Sequence, residues 1–206
     1  MLGPIRPIGR LWSSLMKSIL PTKYQLEKGI TIGLMTYLTK MKGGEKGPPF
    51  VGLIELWWSW LGSFCGIFAC AFLSFYYQVP LLIGSFGASA VLIYAAIDSP
   101  LAQPRNLVGG HIISAMVGVT CFKLLGVTGF SCAMAVSLAI LVMLLTRTLH
   151  PPGGATALIA VITPSIQPLG YYYVLAPAGV GALIMLLVAL LTNNLANKRR
   201  YPRYWS

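Results

Sequence analysis

His150-Pro151-Pro152-Gly153-Gly154-Ala155-Thr156-Ala157-Leu158, running on into Ile159-Ala160-Val161-Ile162, decides how the rest of the chain is read. Two prolines cannot continue the apolar helix that precedes them, and two glycines let other groups approach the backbone closely. A new short helix is therefore expected from Ala155 to Ile162. The first N–H groups of a helix have no intrahelical partner and sit at the positive end of its dipole, which suits an anion or a polar ligand. A plain proline kink joining two helices is the competing reading of these residues taken alone.

A second copy of the pattern argues against the plain kink. Gly87-Ala88-Ser89-Ala90-Val91-Leu92 matches Gly154-Ala155-Thr156-Ala157-Leu158-Ile159, with three identities and three conservative changes. Pro100-Leu101-Ala102-Gln103-Pro104 is echoed by Pro164-Ser165-Ile166-Gln167-Pro168, so each short segment is followed by the same Pro-x-x-Gln-Pro punctuation. Two matches in the same order read as an internal repeat.

Composition sets the environment. The 206 residues are 56% hydrophobic and only 9% charged, too few polar groups to cover a soluble globule of this size. The apolar runs are long enough to cross a hydrocarbon core of about 30 Å, so an all-α polytopic membrane protein is expected. Fifteen Lys and Arg stand against four acids. Eight of the basic residues lie in residues 1–46 and four in 198–203, and such flanks stay cytoplasmic and meet anionic headgroups. An integral protein of a bacterial-type plasma membrane, with both termini inside, is the expected location. Nucleic-acid binding is not expected, because the basic residues fit no recognisable nucleic-acid module. Cys65, Cys70, Cys121 and Cys132 fall within apolar segments without metal-ligand or disulfide spacing and are read as small hydrophobes. No metal and no cofactor is expected.

The chain divides into a basic tail and amphipathic region over residues 1–49, a first membrane unit over 50–126, a second over 127–197, and a basic tail over 198–206. Leu26, Ile30, Leu34, Leu38 and Met41 recur at helical spacing, which suggests a helix lying in the membrane interface, or alternatively packing on a partner subunit. In the first unit, Leu56 to Tyr76 spans, Leu81 to Ile97 is an extended approach to a half-helix, Asp98 to Asn106 is a polar turn, and Leu107 to Leu125 spans. In the second, Val127 to Leu145 spans, the Pro-Pro-Gly-Gly segment follows, and a last span runs from Tyr171 to about Leu191. Each unit reads as helix, broken segment, helix. If each broken segment crosses, there are six passages and the units are inverted; if each is re-entrant, there are four spans and the units are parallel. Six is preferred, since Arg105 and Arg147 then fall inside.

Broken segments at membrane depth are tolerated where protein or a water-filled cavity satisfies their backbone, and two that meet at a repeat interface form a recurring transporter site. The expected substrate site comprises Gly84, Ser85, Gly87, Ala88 and Ser89 from one segment and His150, Gly153, Gly154, Ala155 and Thr156 from the other, with Ser85, Ser89 and Thr156 supplying hydroxyls. His111, Arg105, Asn106 and Arg147 are the candidates for tuning charge or protons. An ionisable residue within a span is a functional candidate, whereas boundary arginines more often serve as anchors. Asp98 is expected to cap a turn or pair with Arg105. The pairs Gly109-Gly110 and Gly179-x-Gly181 are expected at close helix contacts. With the four acids scattered and no carboxylate pair, enzyme activity is not expected.

The motif from His150 to Leu158 resembles the signature of the HPP family of integral membrane proteins. Ile83-Gly84-Ser85-Phe86-Gly87-Ala88-Ser89-Ala90, Asp98 to Asn106, and Gly109-Gly110-His111 resemble that family's other blocks, and the likeness covers about residues 50–205. The family is usually described with four membrane spans. The resemblance implies nitrite transport, which is attributed to plant plastid and cyanobacterial members. Nitrite is small, monovalent and an acceptor at both oxygens, matching a site rich in N–H and O–H donors. A channel for a neutral or weakly acidic solute and a non-transporting assembly protein are the other classes these residues leave open, and a homo-oligomer is compatible with so small a chain.

Overall fold

A computed structural model describes residues 33–206. Two compact units are separated at Phe50. Of the first, residues 33–40 are helical and exposed; most of the expected amphipathic helix, and the whole N-terminal tail before it, lie outside the described residues.

The second unit is all-helical among the described residues. Helix α1 spans Leu53–Tyr77, α2 spans Ser85–Ala90 and continues as a wider π-helical turn over Val91–Ala95, and α3 spans Pro104–Leu125. Helix α4 spans Gly129–Leu145, α5 spans Pro151–Ile162, and α6 spans Val180–Leu195 after a π-helical turn over Val174–Gly179. Leu53–Tyr77, Pro104–Leu125 and Val174–Leu195 are long and apolar enough to cross a membrane. Helix α4, with 17 residues, sits at the short limit for a span. The 12 residues of α5 rise only about 18 Å, so it is a half-helix, as is Ser85–Ala95.

Local chemistry explains the boundaries. Thr128 and Ser131 form a reciprocal capping box that starts α4. Helix α3 begins at Pro104, three residues earlier than expected, because proline is well suited to a first helical position; Arg105 and Asn106 thus lie in its first turn. Helix α6 runs on to Leu195, four residues past the expected end, since Asn193 is buried and donates to the Ile93 carbonyl at 2.9 Å instead of facing water. Before α2, residues 79–83 are irregular, with the Leu81 N–H donating to the Val79 carbonyl at 2.7 Å in a tight turn.

Contacts sort the helix ends into two groups. At one end, Arg199 reaches Glu55, Ser59 and the Tyr94 carbonyl, Tyr201 donates to the Ala102 carbonyl, and Arg105 and Asn106 donate to the carbonyls of Thr146 and Leu149. At the other, Val79, Pro80 and Leu81 share a cavity of about 250 Å³ with Leu169, Tyr172 and Leu175, and Lys123 lies over the Tyr171 ring. The chain therefore passes between the two ends six times, counting each half-helix together with its irregular flank as one passage. Glycines make the crossings close. A Cβ on Gly109 would meet Thr148 Cγ2 at 2.7 Å, one on Gly110 would meet His150 Cβ at 2.5 Å, and Gly181 lies against the Phe86 ring. Gly62 and Gly66 accommodate Tyr94 in the same way, a contact that the spacing of α1 did not announce.

The two Pro-x-x-Gln-Pro stretches are built alike. Gln103 Nε2 donates to the Ile97 carbonyl at 2.9 Å and Gln167 Nε2 to the Val161 carbonyl at 2.8 Å, each six residues back. In both, the amide ties off the end of the preceding half-helix.

The last residues differ from the headgroup-facing basic tail expected of 198–206. Arg199 is buried against Glu55 at 2.8 Å, and Arg203 pairs with Asp98. Asp98 therefore does not pair with Arg105, whose guanidinium donates to the Thr146 carbonyl. A fork of guanidinium donors can satisfy several carbonyls and a carboxylate at once, which draws Arg199 inward.

Candidate functional site

The site forms where α2 and α5 begin, against the middle of the first half of α3. His111 lies two turns into α3 and is fully buried, as are His150, Ser89 and Thr156; Ser85 is 1% exposed. These five side chains form one continuous chain of hydrogen bonds. Ser85 Oγ lies 2.9 Å from Thr156 Oγ1, which lies 2.8 Å from His111 Nδ1. His111 Nε2 is 2.8 Å from Ser89 Oγ, and Ser89 Oγ is 2.9 Å from His150 Nε2. His150 Nδ1 is 2.8 Å from the Leu101 carbonyl, where the chain ends. The rings of His111 and His150 meet edge to face at 5.1 Å between centroids, and the Phe86 ring covers His111 at the same distance.

Each member is placed by a sequence feature. Ser85 and Ser89 are one turn apart, so both point to the same face of α2. His150 stands at the N-terminal boundary of α5 in an extended conformation that the following proline favours, and this turns its ring away from the helix axis. Gly110 lets the His150 segment lie against α3, and Gly118 does the same for Ala157, whose carbonyl a Cβ would approach to 2.5 Å. Tyr173 is buried and its hydroxyl donates to the Thr156 carbonyl at 3.0 Å, bracing α5 from the turn that leads into α6.

The remaining expected site residues are distributed as follows. Gly153 is buried behind the chain, where a Cβ would meet Ser114 Oγ at 2.5 Å and Met143 Sδ at 2.9 Å. Gly154 is half-buried, and Gly84, Gly87, Ala88 and Ala155 face outward. Arg105 and Arg147 are exposed at the end of the bundle, and Asn106 is spent on the Leu149 carbonyl, so none of these three joins the histidines.

The donor set also differs from the expectation of open backbone N–H groups. Pro151 and Pro152 have none, and the Gly153 N–H donates to the His150 carbonyl at 2.8 Å. At α2, the Phe86 and Gly87 N–H groups donate to the carbonyls of Ile83 and Gly84. The polar atoms brought together are thus hydroxyls and imidazoles. Leu101 and Tyr173 were not expected here; the signals that pointed to them were the Pro-x-x-Gln-Pro turn and the Tyr171-Tyr172-Tyr173 run.

Burial of two imidazoles inside a helical membrane bundle is costly unless every nitrogen is bonded, and here each of the four is. Such a chain can accept a proton and pass it along.

Comparison with known proteins gives the lineage. The HPP transmembrane-region family model matches residues 48–202, which includes every site residue named above. Two Dictyostelium discoideum proteins, each named as a transmembrane protein, are 49% identical to this chain. One matches over 89% of this chain and 61% of its own length, the other over 79% and 60%. The chain thus spans about three-fifths of the length of the curated relatives it matches. No solved structure matches it. The chain is an integral membrane protein that belongs to the HPP transmembrane family.

Proposed function

We propose that this protein transports a small inorganic anion, nitrite first among them, across the membrane, and that the anion binds at the hydroxyls and imidazoles of Ser85, Ser89, Thr156, His111 and His150. One observation carries the reading: the fully buried chain that links both broken segments to both histidines. Ionisable side chains held inside a membrane bundle are costly and accompany substrate or proton pathways. Removing an anion from water costs several kcal/mol. Each hydrogen bond to a charged group returns about 1.5–3 kcal/mol, so three such bonds are of the right size to offset it.

The inverted-repeat reading supports the proposal. The matched glutamine bonds and the two oppositely directed half-helices fit units related by an axis in the membrane plane, with the site between them. The end of the bundle that carries Arg105, Arg147, Arg199 and Arg203 is placed in the cytoplasm by the positive-inside bias, against Lys123 at the other end. The protein works as a transporter rather than an enzyme.

Uptake of nitrite, nitrate, formate and chloride into vesicles containing the purified protein tests the proposal. Saturable nitrite uptake above that of protein-free vesicles is expected, and the variant with both Ser89→Val and Thr156→Val falls to the protein-free rate while remaining folded. Uptake that survives this double substitution sinks the placement of the site.

A further inference from the structure

From the Leu101 carbonyl to Thr156, only one arrangement of hydrogens keeps every bond when both rings are neutral. A carbonyl accepts and never donates, so His150 carries its proton on Nδ1 and gives it to Leu101. His150 Nε2 then has only a lone pair, and the Ser89 hydroxyl is the group that donates to it. With its single proton committed, Ser89 accepts from His111, which fixes the His111 proton on Nε2. His111 Nδ1 therefore accepts from Thr156. One carbonyl sets both tautomers and the direction of each bond from Leu101 to Thr156.

One added proton is also fully accommodated. Placed on His111 Nδ1, it is donated to Thr156 Oγ1, whose own proton turns to the Pro152 carbonyl at 3.2 Å. The charge can then move. The His111 Nε2–H bond breaks as Ser89 Oγ takes that proton, and the original Ser89 proton forms a bond to His150 Nε2. Two bonds to hydrogen break and two form, the hydroxyl is restored facing the other way, and the positive charge has passed from one ring to the other. A second proton would set two imidazolium rings 5.1 Å apart in the interior, where like charges strongly disfavour each other.

Among the described residues of the second unit, no counter-charge is at hand for that proton. Of its acidic side chains, Glu55 is held by Arg199 and Asp98 by Arg203 at the end of the bundle. From α2 the pair meets Ser89 and Phe86, from α5 Thr156, and from the turn before α3 the Leu101 carbonyl; Tyr173 reaches only the backbone of Thr156. An extra proton alone is therefore uncompensated, and an anion alone meets only neutral donors. Together they neutralise each other.

We propose that His111, Ser89 and His150 form a proton-transfer unit that takes up one proton with each anion, so that the anion crosses as the equivalent of its neutral acid. This rests on the anion-transport reading and adds its coupling.

The test uses the full chain in vesicles with an internal pH indicator. One proton should enter per nitrite, initial rates should exceed those of protein-free vesicles, and accumulation should follow a pH gradient at tenfold per unit. An imposed potassium diffusion potential should have no effect. Ser89→Ala should drop to the protein-free rate and Ser89→Thr, which keeps the hydroxyl, should retain coupled uptake. Nitrite uptake that follows the voltage and ignores the pH gradient overturns the coupling while leaving anion transport standing. Should the native chain move no nitrite, the transport reading fails, and nitrogen NMR of ¹⁵N-histidine-labelled protein decides on the unit itself. Neutral tautomers with the proton on His150 Nδ1 and His111 Nε2, and one added proton shared by the two rings, support it; the opposite tautomers or two independent protonations overturn it.

Discussion

Arg199→Met removes a cluster of charged donors while keeping most of the apolar stem. Its Nε donates to Glu55 Oε2 at 2.8 Å, Nη1 to the Tyr94 carbonyl at 2.9 Å and to Asn193 Oδ1 at 3.1 Å, and Nη2 to the Glu55 carbonyl and Ser59 Oγ, both at 2.8 Å. Breaking a buried pair by deleting one member costs about 3–5 kcal/mol. The Glu55 side chain is 41% exposed and regains water, so the lower end, about 3 kcal/mol, is the expected loss. Glu55→Gln, which keeps an acceptor for Nε, should lose only about 1 kcal/mol, within the range of a single hydrogen bond. Arg199→Lys should not restore stability, because one ammonium cannot reach partners on α1, the turn after α2 and α6 together. Unfolding of purified protein in mild detergent can be followed by the fluorescence of Trp57, Trp58 and Trp60, which flank Glu55 on α1. An Arg199→Met loss below about 0.5 kcal/mol, the size of a surface substitution, would refute the docked tail.

Three further outcomes are expected. Gly110→Ala should lower nitrite uptake at least tenfold, because its Cβ would fall 2.5 Å from His150 Cβ and 3.1 Å from the Thr148 carbonyl, whereas Gly84→Ala, with open space around it, should leave uptake within twofold. Gln103→Ala should destabilise more than Gln167→Ala, by about 2–3 against about 1 kcal/mol in the same unfolding assay, since Gln103 bonds the Ile97 and Ser99 carbonyls and the Arg203 N–H while Gln167 bonds one carbonyl. Burial raises the pKa of the Tyr201 phenol, whose hydroxyl donates to the Ala102 carbonyl at 2.7 Å. With the folded value above the unfolded one of about 10, its stabilisation is whole below pH 10 and is lost as pH rises further, so Tyr201→Phe should flatten the alkaline loss of stability.

The sequence carried the broken segments well, because proline and glycine act on the backbone locally. The half-helix after His150, the irregular approach before Ser85 and the repeated Pro-x-x-Gln-Pro were all readable as pattern. It also carried Ser85, Ser89, Thr156 and the two histidines, since polar groups are conspicuous in apolar runs. How they combine was not readable. Whether Arg105 and Arg147 join His111 depends on depth in the bundle, and both sit exposed at its end. The availability of backbone N–H groups at the helix starts was misjudged, because the two prolines that make the motif conspicuous also remove its donors. Arg199 looked like a headgroup-seeking residue from its neighbours Lys198 and Arg200; its pairing with Glu55 spans 144 positions and leaves no local trace. Tyr173 likewise read only as part of the start of the last span, and the crossing of its segment over α5 is what brings its hydroxyl to Thr156.

Initial-rate uptake of labelled nitrite into vesicles, comparing the native chain with His150→Ala and with protein-free vesicles, tests the central claim most directly. The account predicts saturable uptake by the native chain, inhibited by excess unlabelled nitrite, and a fall to the protein-free rate in His150→Ala at equal amounts of folded protein. Uptake by His150→Ala equal to that of the native chain would contradict it.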